Sequence, residues 1–250
     1  MRIIPKSTAE IEIMATGGRI LGKILSELEA FTEIGRTTMD IENHAATLFK
    51  KYQVEPSFKG YQGYPAILCT SINEEIVHTF PSDKTLKDGD IISIDCGVYY
   101  QGMHSDSAIT VLVGNVDPKI KYFVSIVQKA LDEAIKIARP GNSIGDISAT
   151  IENIIKKEGY SPVPELIGHG IGENLHEAPE VPNCGYAGTG PILEPGITIA
   201  IEPIISMGSG KSLTLEDGWT IITEDKAISA QIEHTIAITE NNAQILTHRN

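Results

Sequence analysis

The spacing of hydrophobic positions changes period several times along the chain. After Ser7 and Glu10, which have capping-box spacing, Ile13, Met14, Gly17, Leu21, Ile24, Leu25 and Leu28 recur at helical intervals and predict a helix over 8–30. A second helix begins near Thr38, presents Ile41, Ala45, Leu48 and Tyr52 on one face, and ends before Pro56. The pattern then shifts to β-type runs at 66–70, 90–100 and 103–113, the last two separated by Gln101-Gly102 in hairpin spacing. Asp117-Pro118 opens a third helix that runs to Ala138, where Pro140-Gly141 stops it, and a fourth spans 143–157. From Glu165 onward Gly and Pro are frequent, with strand-like runs at 197–205, 219–223 and 231–239.

A helix pair followed by strands thus occurs twice, and the two halves align. Gly35-x-x-x-x-Asp40-Ile41 matches Gly141-x-x-x-x-Asp146-Ile147, 106 positions on, and Leu86-x-x-Gly89-x-x-x-x-Ile94-Asp95 matches Leu193-x-x-Gly196-x-x-x-x-Ile201-Glu202, 107 on. His78-x-x-Pro81 returns as His176-x-x-Pro179, and Asp106-Ser-Ala-Ile109 as Glu233-His-Thr-Ile236. Each match alone is weak. Four in one order predict duplicated halves, about 8–113 and 117–240, packed around a pseudo-twofold axis within a single catalytic domain over 1–250.

Equivalent positions of the repeat carry equivalent chemistry: Asp95 and Glu202 on one strand, Asp106 and Glu233 on a later one, and His78 and His176 before them. Each acid lies in or beside an apolar run, where an unpaired charge costs several kcal/mol. One such acid reads equally well as a solvated edge residue. A symmetric four requires cations, and two divalent ions balance four carboxylates where one would not. His169, within Gly168-His-Gly-Ile-Gly172, is a fifth candidate ligand among glycines that allow close approach. Carboxylates with one imidazole suit manganese, iron, cobalt or zinc. Two such ions hold a hydroxide at neutral pH and polarise a carbonyl, as hydrolysis requires. His78 and His176 then serve as donors to the substrate carbonyl or its oxyanion.

Composition narrows the alternatives. At 250 residues, 41% hydrophobic and 21% charged, the chain has the make-up of a folded globule. A net charge of -13 with no basic stripe argues against nucleic acid and anionic lipid as partners. Three cysteines, Cys69, Cys96 and Cys184, without C-x-x-C spacing argue for reduced thiols and no zinc site made of thiolates. Glu10 and Glu12 interrupt any leader-like apolar stretch, and no run approaches the roughly 18 apolar residues of a membrane span. A cytoplasmic protein is expected.

At these residues the sequence resembles the methionine aminopeptidases of metallopeptidase family M24, in their short bacterial type I form. The resemblance is carried by Gly60-Tyr-Gln-Gly-Tyr-Pro65, Ser71-Ile-Asn-Glu-Glu-Ile-Val-His78, Gly168-His-Gly-Ile-Gly172 with Leu175-His-Glu-Ala-Pro179, Ile201-Glu-Pro203 and Ala230-Gln-Ile-Glu-His-Thr235. It implies an α+β "pita-bread" fold, the creatinase/aminopeptidase fold, with two pseudo-symmetric halves sharing a central antiparallel sheet. It assigns metal ligation to Asp95, Asp106, His169, Glu202 and Glu233, with Asp106 and Glu233 bridging, substrate contacts to His78 and His176, and general-base work to Glu202. Tyr61, Tyr64, Cys69 and Trp219 fall at positions lining the pocket for the first side chain, an enclosure suited to a thioether. Leu175 stands where the family usually has phenylalanine, and Phe58 where many relatives carry a smaller residue, so both bear on the pocket's shape. A monovalent-cation site at the oxygens of Asn73, Glu75 and Ser229 is implied as well.

The implied reaction removes the initiator methionine from nascent polypeptides with a small second residue, through a hydroxide held by both metals. The implied setting is a monomer meeting nascent amino termini at the ribosome. The 31 positions between Glu202 and Glu233 are too few for the helical insertion of type II relatives. Two rival readings are a proline-specific dipeptidase or creatinase, which normally carries a large preceding domain, and a binding module of the same fold that has lost its ligands. The intact five ligands and two histidines count against the second.

Overall fold

Helices form where the capping residues put them. Ser7 with Glu10, Thr37 with Asp40 and Ser143 with Asp146 make reciprocal capping boxes that start α1 (Thr8–Phe31), α2 (Thr38–Tyr52) and α4 (Ile144–Lys157). α3 (Pro118–Ile137) begins with the Asp117 carboxylate accepting the Lys119 amide and a proline in the first turn, where a missing N–H costs nothing. The computed structural model describes residues 2–249. Its first half adds β1 (Glu55–Pro56), β2 (Leu68–Ile72), β3 (Glu75–Val77), β4 (Ile91–Tyr100) and β5 (Met103–Leu112). The second half adds β6 (Ser161–Pro162), β7 (Ile167–Gly170), β8 (Glu177–Pro182), β9 (Thr198–Ile201), β10 (Ile204–Ser206), β11 (Ser212–Thr214), β12 (Ile221–Thr223), β13 (Ser229–Gln231), β14 (His234–Ile238) and β15 (Ala243–Ile245).

In the first half β4 pairs antiparallel with β1, β2 and β5. Gln101 and Gly102, both at positive φ (48° and 90°), turn β4 into β5 as a two-residue primed turn, a conformation glycine adopts freely. The second half forms a five-stranded antiparallel sheet in the order β15-β14-β9-β7-β8. The apolar faces of α1 and α2, with Leu21, Leu25, Ile41 and Leu48, bury against Ile92, Ile94 and Val98. Those of α3 and α4, with Phe123, Leu131, Ile147 and Ile151, bury against Ile199, Ile201 and Ile236. Each fully buried side chain of this kind contributes about 1.5–3 kcal/mol.

The repeat read from the sequence recurs bond for bond. The Gly35 amide donates to Leu86 and that of Gly141 to Leu193, at 2.9 and 3.0 Å. The Leu86 amide returns to Arg36 and that of Leu193 to Asn142, both at 2.8 Å, and the Gly89 and Gly196 amides reach Val113 and Ile238 at 2.9 Å. The halves meet along a seam between β5 and β14 made largely by hydroxyls. Thr235 Oγ1 accepts the Asp106 amide (2.9 Å) and donates to the Asp106 carbonyl (2.7 Å), Ser107 Oγ donates to the Glu233 carbonyl (2.6 Å), and the Glu233 amide donates to Ala108 (3.0 Å).

Several strands differ from the sequence reading. The run at 66–70 is displaced to Leu68–Ile72, because the Glu42 carboxylate of α2 captures the Ile67 and Leu68 amides at 2.8 and 3.1 Å. The runs at 197–205 and 231–239 are each broken in two, after Ile201 and after Gln231. Pro203 lacks the N–H a continuous ladder would need. The two breaks lie side by side, since His234 pairs with Ile201 on one side of the gap and Gln231 with Ile204 on the other. Glu202 and Glu233 occupy that gap.

Candidate metal centre and substrate pocket

Strand register brings the acids together. Gly97 pairs with Asp106, so Asp95 and Asp106 stand on the same face as diagonal neighbours, and the seam sets that face against the gap holding Glu202 and Glu233. Asp106, His169 and Glu233 each present a ligand atom within 4.8 Å of the others. His169 Nε2 lies 3.8 Å from Glu202 Oε1, and the Asp95 and Asp106 carboxyls are close enough to perturb one another. The imidazole of His169 holds the Gly170 carbonyl through Nδ1 (2.9 Å), which puts the proton there and leaves the Nε2 lone pair free. The glycines around His169 have a reason other than access for a ligand. A Cβ on Gly170 would lie 2.1 Å from the Ala178 carbonyl, and one on Gly168 2.4 Å from that of Ala200, so neighbouring strands require them.

The electrostatics are those of a site built for cations. Asp95 Oδ1, Asp106 Oδ1 and Glu233 Oε1 are buried with no hydrogen-bond partner. Natural proteins rarely leave such acceptors unmatched. Burial pushes the Asp95 carboxyl up to about 7. Asp106 and Glu233 are driven well above the usual carboxylate range by burial first and by the neighbouring acids second, and Glu202 by burial and Asp95. The donor set of four carboxylates and one neutral imidazole, with three orphaned oxygens, fits divalent metal.

Beside the acids lies a cavity of about 500 Å³. Thirteen of the residues singled out in the sequence line it: the five candidate ligands, His78, His176, Phe58, Tyr61, Tyr64, Cys69, Leu175 and Trp219, while Asn73, Glu75 and Ser229 lie outside its lining. The Tyr64 ring meets Trp219 edge-on, with centroids 5.1 Å apart, and its hydroxyl donates to the Leu68 carbonyl. Burial and the Asp95 charge push the Cys69 thiol well up, so it stays protonated and contributes apolar surface. His78 is held at φ 60°, a conformation uncommon outside glycine and typical of functional positions. The His176 ring packs against His169 in a tilted arrangement, 4.1 Å between centroids, and its Nδ1 meets Tyr61 Oη at 2.9 Å. Its pKa is lowered to about 4 by burial and by His78 and His104. The oxygens of Asn73 and Glu75 converge on Ser229, whose Oγ donates to them at 3.2 and 3.0 Å.

Sequence reading missed two side chains. Gln231, buried on β13, donates from Nε2 to both Asp95 Oδ2 and Glu202 Oε2 at 3.1 Å, tying one acid from each half. Its sole signal was an amide in a buried strand. Arg249 donates to Ser107 Oγ (3.2 Å) behind the seam and places its charge near Glu233. Replacing Gln231 by Leu removes both donations. Manganese affinity, read by titration calorimetry, is expected to fall about 10–100-fold. Unchanged affinity would show that the amide does not orient these acids.

Such a cluster defines a metallohydrolase, and the chain belongs to metallopeptidase family M24, whose pattern matches residues 12–240. Within that family it is similar over nearly its full length to methionine aminopeptidases. It is 44% identical over 245 residues to the methionine aminopeptidase of Clostridium perfringens, covering 98% of each chain. The crystal structure of methionine aminopeptidase from Thermotoga maritima superposes with a TM-score of 0.98 at 42% identity, over 99% of this chain and 100% of that one. Prolidase from Pyrococcus furiosus shares the architecture at a TM-score of 0.79 and 26% identity, but the match spans 66% of its length. These neighbours fix the architecture as the pita-bread fold.

Proposed function

We propose that the chain hydrolyses the first peptide bond of newly made polypeptides that begin with methionine and have a small second residue. The observation that carries this reading is the continuity of an apolar enclosure, formed by Phe58, Tyr61, Tyr64, Cys69, Leu175 and Trp219, with a cluster of four buried acids and His169. The enclosure takes the methionine side chain, and Leu175 and the ring of Phe58 preserve apolar volume within it. Asp95, Asp106, His169, Glu202 and Glu233 would hold two divalent cations of cobalt, manganese, iron or zinc. When bound, these lower the pKa of water to near neutrality and polarise the scissile carbonyl. Glu202, standing among these ligands, would accept a proton from the attacking water. Tyr61 donates to His176 Nδ1, which leaves the proton on Nε2 to donate to the developing oxyanion, with His78 as a second donor. A monovalent cation at the Asn73, Glu75 and Ser229 oxygens, work as a monomer in the cytoplasm and encounter with nascent chains at the ribosome complete the proposal. No described helix is long and apolar enough to cross a membrane.

The test is a peptide assay with manganese or cobalt added. Release of methionine from Met-Ala-Ser, with Xaa-Pro dipeptides left intact, is the expected result. The reverse preference would move the chain to the proline-specific enzymes.

A further inference from the structure

Next to the metal centre, and sharing Ile167, His169 and His176 with the substrate cavity, lies a second groove of about 740 Å³. It runs along the free edge of the β7–β8 pair and takes residues from both of its faces, Gly168 from one and His169 from the other. Ile167 faces Pro182 and His169 faces Glu180 in register, so these four side chains stand on the same side of the sheet, while Val181 turns into the core. One wall is the start of α4, with Ile144 and Ser148. The other is the loop over 184–191, pinned by bonds from Gly185 to Glu152, from Gly188 to Asp146 and from Gly145 to Thr189, each at 2.9 Å. The groove is therefore preformed. β8 is the last strand of its sheet, and Pro179 and Pro182 deprive it of two N–H donors. That blunts stacking against a second sheet edge, yet leaves an apolar trough open to a single extended chain.

We propose that this groove holds the substrate downstream of its second residue, as an extended segment of about four residues lying along β8. The inference rests on the aminopeptidase reading of the neighbouring site. Continuity fixes the occupant, because His176, at the mouth of the cavity, leads directly into β8 at Glu177. Charge fixes its character. No Lys or Arg lines the groove, Glu180 is exposed within it, and the whole chain carries a net charge of -13. Apolar and basic downstream residues are favoured and acidic ones are repelled.

The experiment compares Met-Ala-Ser with Met-Ala-Ser-Val-Lys-Val-Lys and Met-Ala-Ser-Val-Glu-Val-Glu on the metal-loaded protein, each long peptide scored as its kcat/KM divided by that of the tripeptide on the same variant. The basic peptide is expected to gain about fivefold or more, chiefly through KM, and the acidic one to gain nothing; Glu180→Lys is expected to invert that order. In parallel, fluorescein-labelled Ala-Ser-Val-Lys-Val-Lys binding to metal-free protein is read by anisotropy, and Glu180→Lys is expected to weaken it about fivefold. Cleavage of the tripeptide with equal ratios for both long peptides overturns the groove and leaves the aminopeptidase reading standing. Failure to cleave any methionyl peptide, with labelled peptide still bound in a Glu180-dependent way, does the opposite. Binding that ignores Glu180 overturns the groove by itself.

Discussion

Asp106→Asn and Glu233→Gln are each expected to abolish bound metal and turnover together, and each to raise the melting temperature of the metal-free protein. Both carboxylates carry a buried oxygen with no partner and sit among like charges that push them well above the usual carboxylate range. In the absence of metal they work against folding, since an unmatched buried polar atom costs about 1–3 kcal/mol. Neutralising one relieves that cost, which for a chain of this size is expected to lift the melting temperature by several degrees. With metal present the sign reverses. The substituted protein loses the ligand-induced gain that binding to the folded state alone supplies. Turnover is expected to drop by more than about a thousandfold, beyond the 10–100-fold typical of an outer-shell change. Bound metal by elemental analysis, melting curves with and without manganese, and methionine release check the three parts. Full manganese-dependent activity in either variant would sink the assignment of these two acids as shared ligands.

The second large effect is a dependence of stability on pH that metal erases. Asp95 is raised to about 7 by burial, and Asp106, Glu202 and Glu233 are raised well above their usual range. A carboxyl whose folded pKa exceeds its unfolded value binds more protons when folded, so stability falls as pH rises from the unfolded pKa to the folded one. His169 and His234, lowered to about 3 by burial, act in the opposite sense: they cost stability as pH falls below 6.5. The two trends oppose each other in mild acid. Above about pH 7.5 the histidines are essentially neutral in both states, and the carboxyls dominate until the thiols of the unfolded chain begin to ionise above about pH 8. The metal-free protein is therefore expected to lose several kcal/mol as pH rises through neutrality, a range in which most proteins are flat. Saturating manganese removes the loss because the cation holds the acids ionised. Denaturant melts from pH 6.5 to 9, with and without manganese, measure it; a flat metal-free profile would rule out the crowding of these four acids.

The helices were legible because their signals are local. Ser7-x-x-Glu10, Asp117-Pro118 and the spacing of Leu21, Ile24, Leu25 and Leu28 each act within a few residues, and α1 to α4 begin and end within two residues of the sequence reading. The Gln101-Gly102 turn was legible for the same reason. The site was legible by a different route. Internal repetition converts distance along the chain into spatial equivalence, so Asp95 with Glu202 and Asp106 with Glu233 stand out as pairs although 107 and 127 positions separate them. The family resemblance supplied the lining residues, Tyr61, Tyr64, Cys69, Trp219, Phe58 and Leu175, which periodicity alone does not distinguish from core.

What the sequence determined by itself, then, is whatever depends on near neighbours or on repetition: four helices, one hairpin, the duplicated plan and the acids at its matching positions. The tertiary structure alone decided the paired breaks at Glu202 and Glu233, the hydroxyl seam through Thr235 and Ser107, the amide of Gln231 between two carboxylates, and the groove along β8. Each of these depends on which strand lies beside which, and at what register. A continuous apolar run such as 197–205 fits an unbroken strand as well as a broken one until the partner strand shows where the ladder fails.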